Sequence, residues 1–423
     1  MLTHYKYLII GGGIAGTTAA ETIRQYDKDG TLVILSNESH RLYSRIVLSK
    51  PEFYENAGAP RTLFLRKPEW YPVNNIDLSC DETVIGLNTK EKRISLASGK
   101  YIEYDKLLLA IGVQPLPLPG LESLEAKNIL YLHNLDQAKE IQKHIIDSKI
   151  VLVVGGGFIA IEFCDLLTKL KREVISVIAS SWYWRSTFDE ISSRFIENAL
   201  KKNGIEIYTE SLVKEIIGKS RIEEVNICNI KTGKQTTISC STIIAAIGTR
   251  CDLDWVKESG IKCNKGILTN EYMETNMSDV WAAGDCAEYF DLICDRHIKL
   301  ANWTNARTHG KIAGMNMVGR RSSYRKTTFY STEKLGLSIC FVGDTSPLGE
   351  NKKTISRGSY EHGAYTELRV VNDRIVGATM INMSNELNSL VSLIENGVLI
   401  GNHLKEIGNP NFDLKFINKH ERQ

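Results

Sequence analysis

Residues 9–21 read IIGGGIAGTTAAE, and residues 153–165 read VVGGGFIAIEFCD. Each is an apolar run that ends in a Gly-x-Gly loop and opens onto helix-forming residues. Around the first, YKYLII (5–10) reads as a strand, TTAAETIRQY (17–26) has apolar residues at helical spacing, and TLVILS (31–36) reads as a second strand. That order and length make a βαβ unit. Gly11 allows the tight turn, Gly13 lets a pyrophosphate approach the backbone, and Gly16 lets the helix pack close to the strand. The helix N-terminus, at Ile14 and Ala15, faces the phosphates. Glu38 lies 22 residues after Gly16, where a carboxylate can hydrogen-bond ribose hydroxyls.

The second loop repeats the order: strand IVLVV (150–154), loop GGGFIA (155–160), helix IEFCDLLTKLK (161–171) and strand EVISVIAS (173–180). Gly155, Gly157 and Ile159 take the loop and helix-start positions. Two features differ from the first copy. Ala160 replaces the third glycine, and the 27-residue offset from Gly11 to Glu38 carries Gly155 to Trp182, inside ASSWYW (179–184), which has no acid. Two dinucleotide folds in one chain imply two nucleotides, one of them a tightly held prosthetic group. A turn-rich segment, QPLPLPGLESLEAKN (114–128), precedes the second unit, and a polar stretch, 218–242, alternates like antiparallel hairpins.

The bulk properties narrow the class. With 423 residues, 43% hydrophobic and 24% charged, the chain predicts two or three domains. A net charge of +2 gives no electrostatic case for nucleic acid or an anionic membrane surface. The longest apolar stretches, such as 107–113 and 150–154, are strand-sized, so no membrane span or targeting segment is expected and the location read is cytoplasmic. The nine cysteines form no Cys-x-x-Cys pair and no zinc spacing, which predicts reduced thiols and no metal site.

Further phrases, in order, carry a resemblance. LLLAIGVQP (107–115) resembles the "ATGxxP" turn of the pyridine nucleotide–disulfide oxidoreductase superfamily, and VWAAGDCAE (280–288) resembles its second FAD motif. ESHRLYSRIVLSK (38–50) is similar to a segment of the reductases that serve rubredoxin and ferredoxin, and of the FAD module of NADH-dependent nitrite reductases. NWTNARTHGKIAGMNMVG (302–319) and the tail at 390–414 are similar to the reductases as well. The resemblance implies an α/β fold with two Rossmann-like dinucleotide-binding domains and a C-terminal α/β domain. Its boundaries would be 1–120 with 245–320 for FAD, 121–244 for NAD(P), and 321–423 for the last.

By that resemblance, Gly11, Gly13, Gly16 and Glu38 hold the ADP part of FAD. Arg45 and Lys50 stand beside the pyrophosphate and the flavin ring, and Val84 contacts adenine through its backbone. Ala110 and Gly112 lie in the crossover turn, Asp285 reaches the ribityl chain, and Gly248 is a further cofactor position. Glu162 orients the nicotinamide and, with Lys50, is the expected catalytic residue. The function implied is an FAD-dependent NAD(P)H oxidoreductase that passes electrons to an acceptor such as a small electron-transfer protein. A homodimer is one assembly the resemblance allows.

Departures from the family refine this. Residues 38–55 contain no cysteine, which disfavours the disulfide-reducing and single-cysteine chemistries. The missing acid at Trp182 forfeits charge-assisted hydrogen bonds of roughly 1.5–3 kcal/mol each to a ribose, and it removes repulsion against a 2′-phosphate. Together with Ala160 and Arg185, which aligns with the second of two arginines in NADPH-dependent glutathione reductases, this leans toward NADPH. The competing reading is a flavoprotein subunit with a vestigial nicotinamide site that takes electrons from a partner, in which Trp182, Tyr183 and Trp184 form a packing or interface patch. Ser331, at the position where the reductases carry tryptophan, suggests a more open acceptor side. The bland reading of Glu333 and Lys334 is a solvated turn.

Overall fold

A computed structural model of the chain describes residues 3–55, 63–121, 128–218, 221–346 and 353–420. Residues 122–127 of the turn-rich segment and 219–220 of the polar stretch lie outside the described residues. The chain divides into two units. The first comprises Met1–Ile46, Ala59–Gln114 and Thr249–Lys326, and the second comprises Val47–Gly58, Pro115–Gly248 and Thr327–Gln423.

The first unit is built on a seven-stranded sheet in the order Asp77–Ser79, Leu32–Leu35, His4–Ile10, Tyr101–Leu109, Arg93–Leu96, Val84–Asn88, with Val280–Ala282 pairing alongside Tyr101–Leu109. The pairings among the first four strands, and that of Val280–Ala282, are parallel. Both faces of the central strands are buried. Tyr7, Ile9, Leu32 and Ile34 pack on one side, and Leu8, Ile10, Val33 and Leu35 on the other. Period-two alternation between two apolar faces explains why these strands read as continuous hydrophobic runs. Helices Ile14–Tyr26 and Trp303–Met317 lie on the Tyr7 side. They approach to backbone contact: a Cβ on Gly310 would fall 2.1 Å from the Ala15 carbonyl oxygen.

The second unit contains a five-stranded parallel sheet in the order Glu206–Tyr208, Glu173–Val177, Ile150–Val154, Thr242–Ala245, Ile129–Leu130. Within the polar stretch Glu224–Asn229 pairs antiparallel with Gln235–Ser239, and the preceding strand Ser211–Ile217 pairs antiparallel with Glu224–Asn229. A five-stranded antiparallel sheet, Phe329–Lys334, Leu337–Gly343, Arg374–Ile381, Ala364–Val371 and Lys353–Ser359, carries helix Leu387–Glu395. The fold class is α/β with two dinucleotide-type sheets, as the two loops predict. Among the described residues no helix is long and apolar enough to cross a membrane.

Candidate active site

In the first unit, Gly11 has φ +118, and a Cβ there would lie 2.1 Å from the Ala110 carbonyl oxygen, so only glycine fits this turn. Gly16 is closed in the same way, since its Cβ would meet the Gly11 carbonyl oxygen at 2.0 Å. Gly13 is the opposite case, with nothing within 4 Å of an added Cβ. It caps helix Ile14–Tyr26 without a side-chain hydrogen bond and with no acid in the first turn. The helix start, including Ile14 and Ala15, is therefore an uncapped positive end beside open space, which suits a phosphate. Gly112, also open and with φ +67, joins Gly11, Glu82, Val84 and Trp255 around a cavity of about 150 Å³.

Acidic and basic groups are placed around this cradle. Glu38 accepts hydrogen bonds from the Tyr43 hydroxyl and from Arg45, whose guanidinium also stacks 5.4 Å from the Tyr43 ring. Arg45, expected beside the pyrophosphate, is thus ion-paired with the ribose-position acid. Asp285 leaves Oδ1 buried and without a partner. Burial pushes its carboxyl above the usual range, against the pull of Lys299 and Arg45. A buried acceptor that ends without a partner is a costly arrangement for a protein alone, and it suits a hydroxyl-bearing ligand. The residues of this unit fit the ADP and ribityl parts of FAD.

The second cradle repeats the first. Gly155 has φ +127, with its Cβ position 2.2 Å from the Ala246 carbonyl oxygen, and Gly157 caps helix Phe158–Lys169 with open space around it. Ile159 belongs to the first turn, and Gly248 lies at φ +122. Ala160 is fully buried, so its methyl is a packed core group. This construction fits a second dinucleotide. In ASSWYW, Tyr183 is buried and donates to Ser176 Oγ at 2.6 Å, while Trp184 packs 4.8 Å from Phe341 and 5.6 Å from Phe158. Trp182 is half-buried, and exposed Arg185 stacks over it at 4.9 Å.

Helix Phe158–Lys169 also carries a buried ionic cluster. Glu162 is 1% exposed. One of its oxygens accepts from Lys50 Nζ and the other accepts from Ser49 Oγ at 2.5 Å. Lys334 Nζ, 5% exposed, lies 3.4 Å from Glu162 Oε1 and 3.6 Å from Asp165 Oδ2. Lys169 closes the set on Asp165 at 2.9 Å. Lys50 and Glu162, the two expected catalytic residues, are therefore in direct contact. Residues 47–58, and Lys50 with them, fall in the second unit.

Ser49, Asp165 and Lys334 are members that sequence reasoning missed. Lys334 is no solvated turn residue but the buried end of strand Phe329–Lys334. The signal for it was present: Glu162 and Asp165 are one turn apart within the apolar first part of the helix, and two acids on a buried face require cations. Ser331 is exposed, while its neighbour Tyr330 packs its ring 4.9 Å from Phe158.

The cysteines are free. Burial pushes the Cys164 and Cys286 thiols up to about 12, and Cys286, next to Asp285, donates to the Leu109 and Ala283 carbonyls. Among the described residues no group of His, Cys, Asp and Glu could hold a metal ion.

Comparisons with known proteins agree with this geometry. The family model described as pyridine nucleotide-disulphide oxidoreductase matches residues 5–310. Nitrite reductase [NAD(P)H] of Bacillus subtilis is 29% identical over 92% of the chain, which spans only 47% of that protein. Rubredoxin-NAD(+) reductase of Pseudomonas putida is 25% identical over 90% of the chain and 97% of the relative. The reductase in a covalent putidaredoxin reductase–putidaredoxin complex superposes with a TM-score of 0.88 over 98% of both chains at 24% identity, a likeness of fold.

Proposed function

Because the chain belongs to the pyridine nucleotide-disulphide oxidoreductase family, we propose that it is an FAD-dependent reductase that takes electrons from NAD(P)H at the second cradle. FAD held at the first cradle would pass them to a small redox protein of the rubredoxin or ferredoxin kind. Bound FAD would supply the redox chemistry, accepting a hydride and returning electrons to the acceptor. The chain's own residues would bind, orient and charge the reactants. The helix starts at Ile14 and Phe158 would hold the two pyrophosphates, Glu38 the adenosine ribose and Asp285 the ribityl hydroxyls. Lys50 would lend positive charge to the flavin, and Glu162 would fix that ammonium.

The observation that carries this reading is the Lys50–Glu162 contact, because it joins a cation expected at the flavin to a carboxylate on the nicotinamide-side helix. The test is anaerobic reduction. NADH or NADPH should bleach the purified yellow protein within seconds. Glu162→Gln should slow the bleaching by tenfold or more while FAD stays bound. A flavin that dithionite bleaches and neither nucleotide does would overturn the reading in favour of a vestigial nicotinamide site.

For the nucleotide, we favour NADPH. Residues 179–185 offer no carboxylate to a ribose, and Arg185 is an exposed guanidinium steadied on Trp182, suited to a 2′-phosphate.

A further inference from the structure

We propose that Lys334 is a positioning residue that keeps Glu162 aimed at Lys50. The proposal rests on the reading of Lys50 and Glu162 given above. Lys334 arrives from the antiparallel sheet, at the end of a strand whose outward positions Phe329, Ser331 and Glu333 are exposed. Its side chain turns inward between two acids of helix Phe158–Lys169, and the next residue, Leu335, donates its N–H to Asp165 Oδ1 at 3.0 Å.

A buried lysine is an expensive way to fix a strand to a helix, since an apolar side chain would pack there with no desolvation cost. Its chemistry explains it better. Glu162 and Asp165 are both nearly fully buried and one helical turn apart, and like charges so placed repel. Lys169 answers Asp165 from a half-exposed position, and Lys50 answers Glu162 with a side chain 26% exposed. Among the described members of the cluster, Lys334 is the cation that is itself buried and that faces both carboxylates. Without it, Glu162 escapes the Asp165 charge by rotating away, which loosens its hold on Lys50.

The experiment measures Lys50 itself. Flavin-free and flavin-loaded proteins are treated with acetic anhydride, and acylation of Lys50 is followed by peptide mass spectrometry. Lys334→Met should raise the Lys50 acylation rate severalfold, because a Glu162 turned away from Lys50 leaves its amine free to meet the reagent. It should lower the limiting rate of flavin reduction with little change in nucleotide KM. Lys334→Arg should restore both. The charge-balanced pair Lys334→Met with Asp165→Asn removes the repulsion along with the lysine, and it should return Lys50 labelling to the wild-type rate. A purely structural tie predicts that this double variant is at least as impaired as Lys334→Met, and that result would overturn the proposal, as would unchanged Lys50 labelling in Lys334→Met. If Lys334→Met alone fails to fold, the double variant and Lys334→Arg still decide the matter by the same readout. Glu162→Gln separates the two readings: normal flavin reduction in that variant refutes the role of the Lys50–Glu162 pair, whereas slowed reduction with inert Lys334 variants refutes only the positioning role.

Discussion

The two loops differ at one matched glycine, Gly16 against Ala160, and exchanging those residues tests what the difference does. In the first cradle a Cβ on Gly16 would lie 2.0 Å from the Gly11 carbonyl oxygen and 3.0 Å from Ile9 Cγ2. Ordinary contact needs about 3.4 Å, so the helix must retreat by roughly 1.4 Å from a backbone atom that cannot swing aside. Overpacking on this scale costs about 1–3 kcal/mol. The retreat also withdraws the helix-start N–H groups from the phosphate position. Gly16→Ala should therefore weaken FAD binding by about tenfold or more and lower the urea midpoint. In the second cradle the methyl of Ala160 is already accommodated and fully buried. Ala160→Gly should cost about 1 kcal/mol in helix propensity and leave nucleotide affinity within about twofold of the parent. FAD titration by flavin fluorescence and urea melts of the flavin-free protein measure both. Wild-type FAD affinity and midpoint in Gly16→Ala would refute the close-approach argument. A tenfold loss of NAD(P)H affinity in Ala160→Gly would show that Ala160 shapes the nucleotide site and is more than packing.

Three further outcomes are expected. Asp285→Ala should purify largely without flavin, as read by the ratio of visible to ultraviolet absorbance, because it removes the carboxylate whose Oδ1 has no protein partner. Arg185→Ala should lower affinity for NADPH by about three- to tenfold, a guanidinium–phosphate contact at an exposed site, while leaving NADH affinity unchanged in anaerobic titrations. His309 is fully buried, and burial pulls its imidazole down to about 3. The unfolded chain therefore takes up this proton first, and stability should fall by up to about 1.4 kcal/mol per pH unit as pH drops from about 6.5 toward 3. His309→Gln should show a shallower slope than wild type in urea melts between pH 7 and pH 4.

Much of the architecture was legible because its signals are local. A strand, a glycine turn and a helix start are encoded within a dozen residues, so both cradles appear where the motifs at 9–21 and 153–165 place them. The alternating polar stretch became a hairpin for the same reason. The ionic cluster was not legible because its members come from three separated segments. Lys50, Glu162 and Lys334 meet only after a parallel sheet, its helix and an antiparallel sheet have packed. ASSWYW was ambiguous in sequence between a nucleotide loop and a packing patch, and in the structure its residues divide. Tyr183 is wholly interior and Trp184 joins the aromatic packing with Phe341, while Trp182 and Arg185 stay at the surface. Apolar aromatic runs announce burial without saying which ring is buried, since that depends on the turn, and Trp184 takes a left-handed φ of +53.

The strand Val280–Ala282 pairs with Leu107–Leu109 across an insertion, so the ribosome makes the partner 173 residues (282 − 109) after the edge it must cover. At roughly 5–20 residues per second, that edge waits on the order of ten to thirty seconds during synthesis. Meanwhile the nascent chain presents an unpaired, wholly apolar strand margin, the kind of template that recruits foreign strands. Yield of this protein in a cell should therefore depend on chaperone supply and translation speed more than on the stability of the finished fold, and a ribosome stalled between residues 110 and 280 should leave a fragment prone to aggregate.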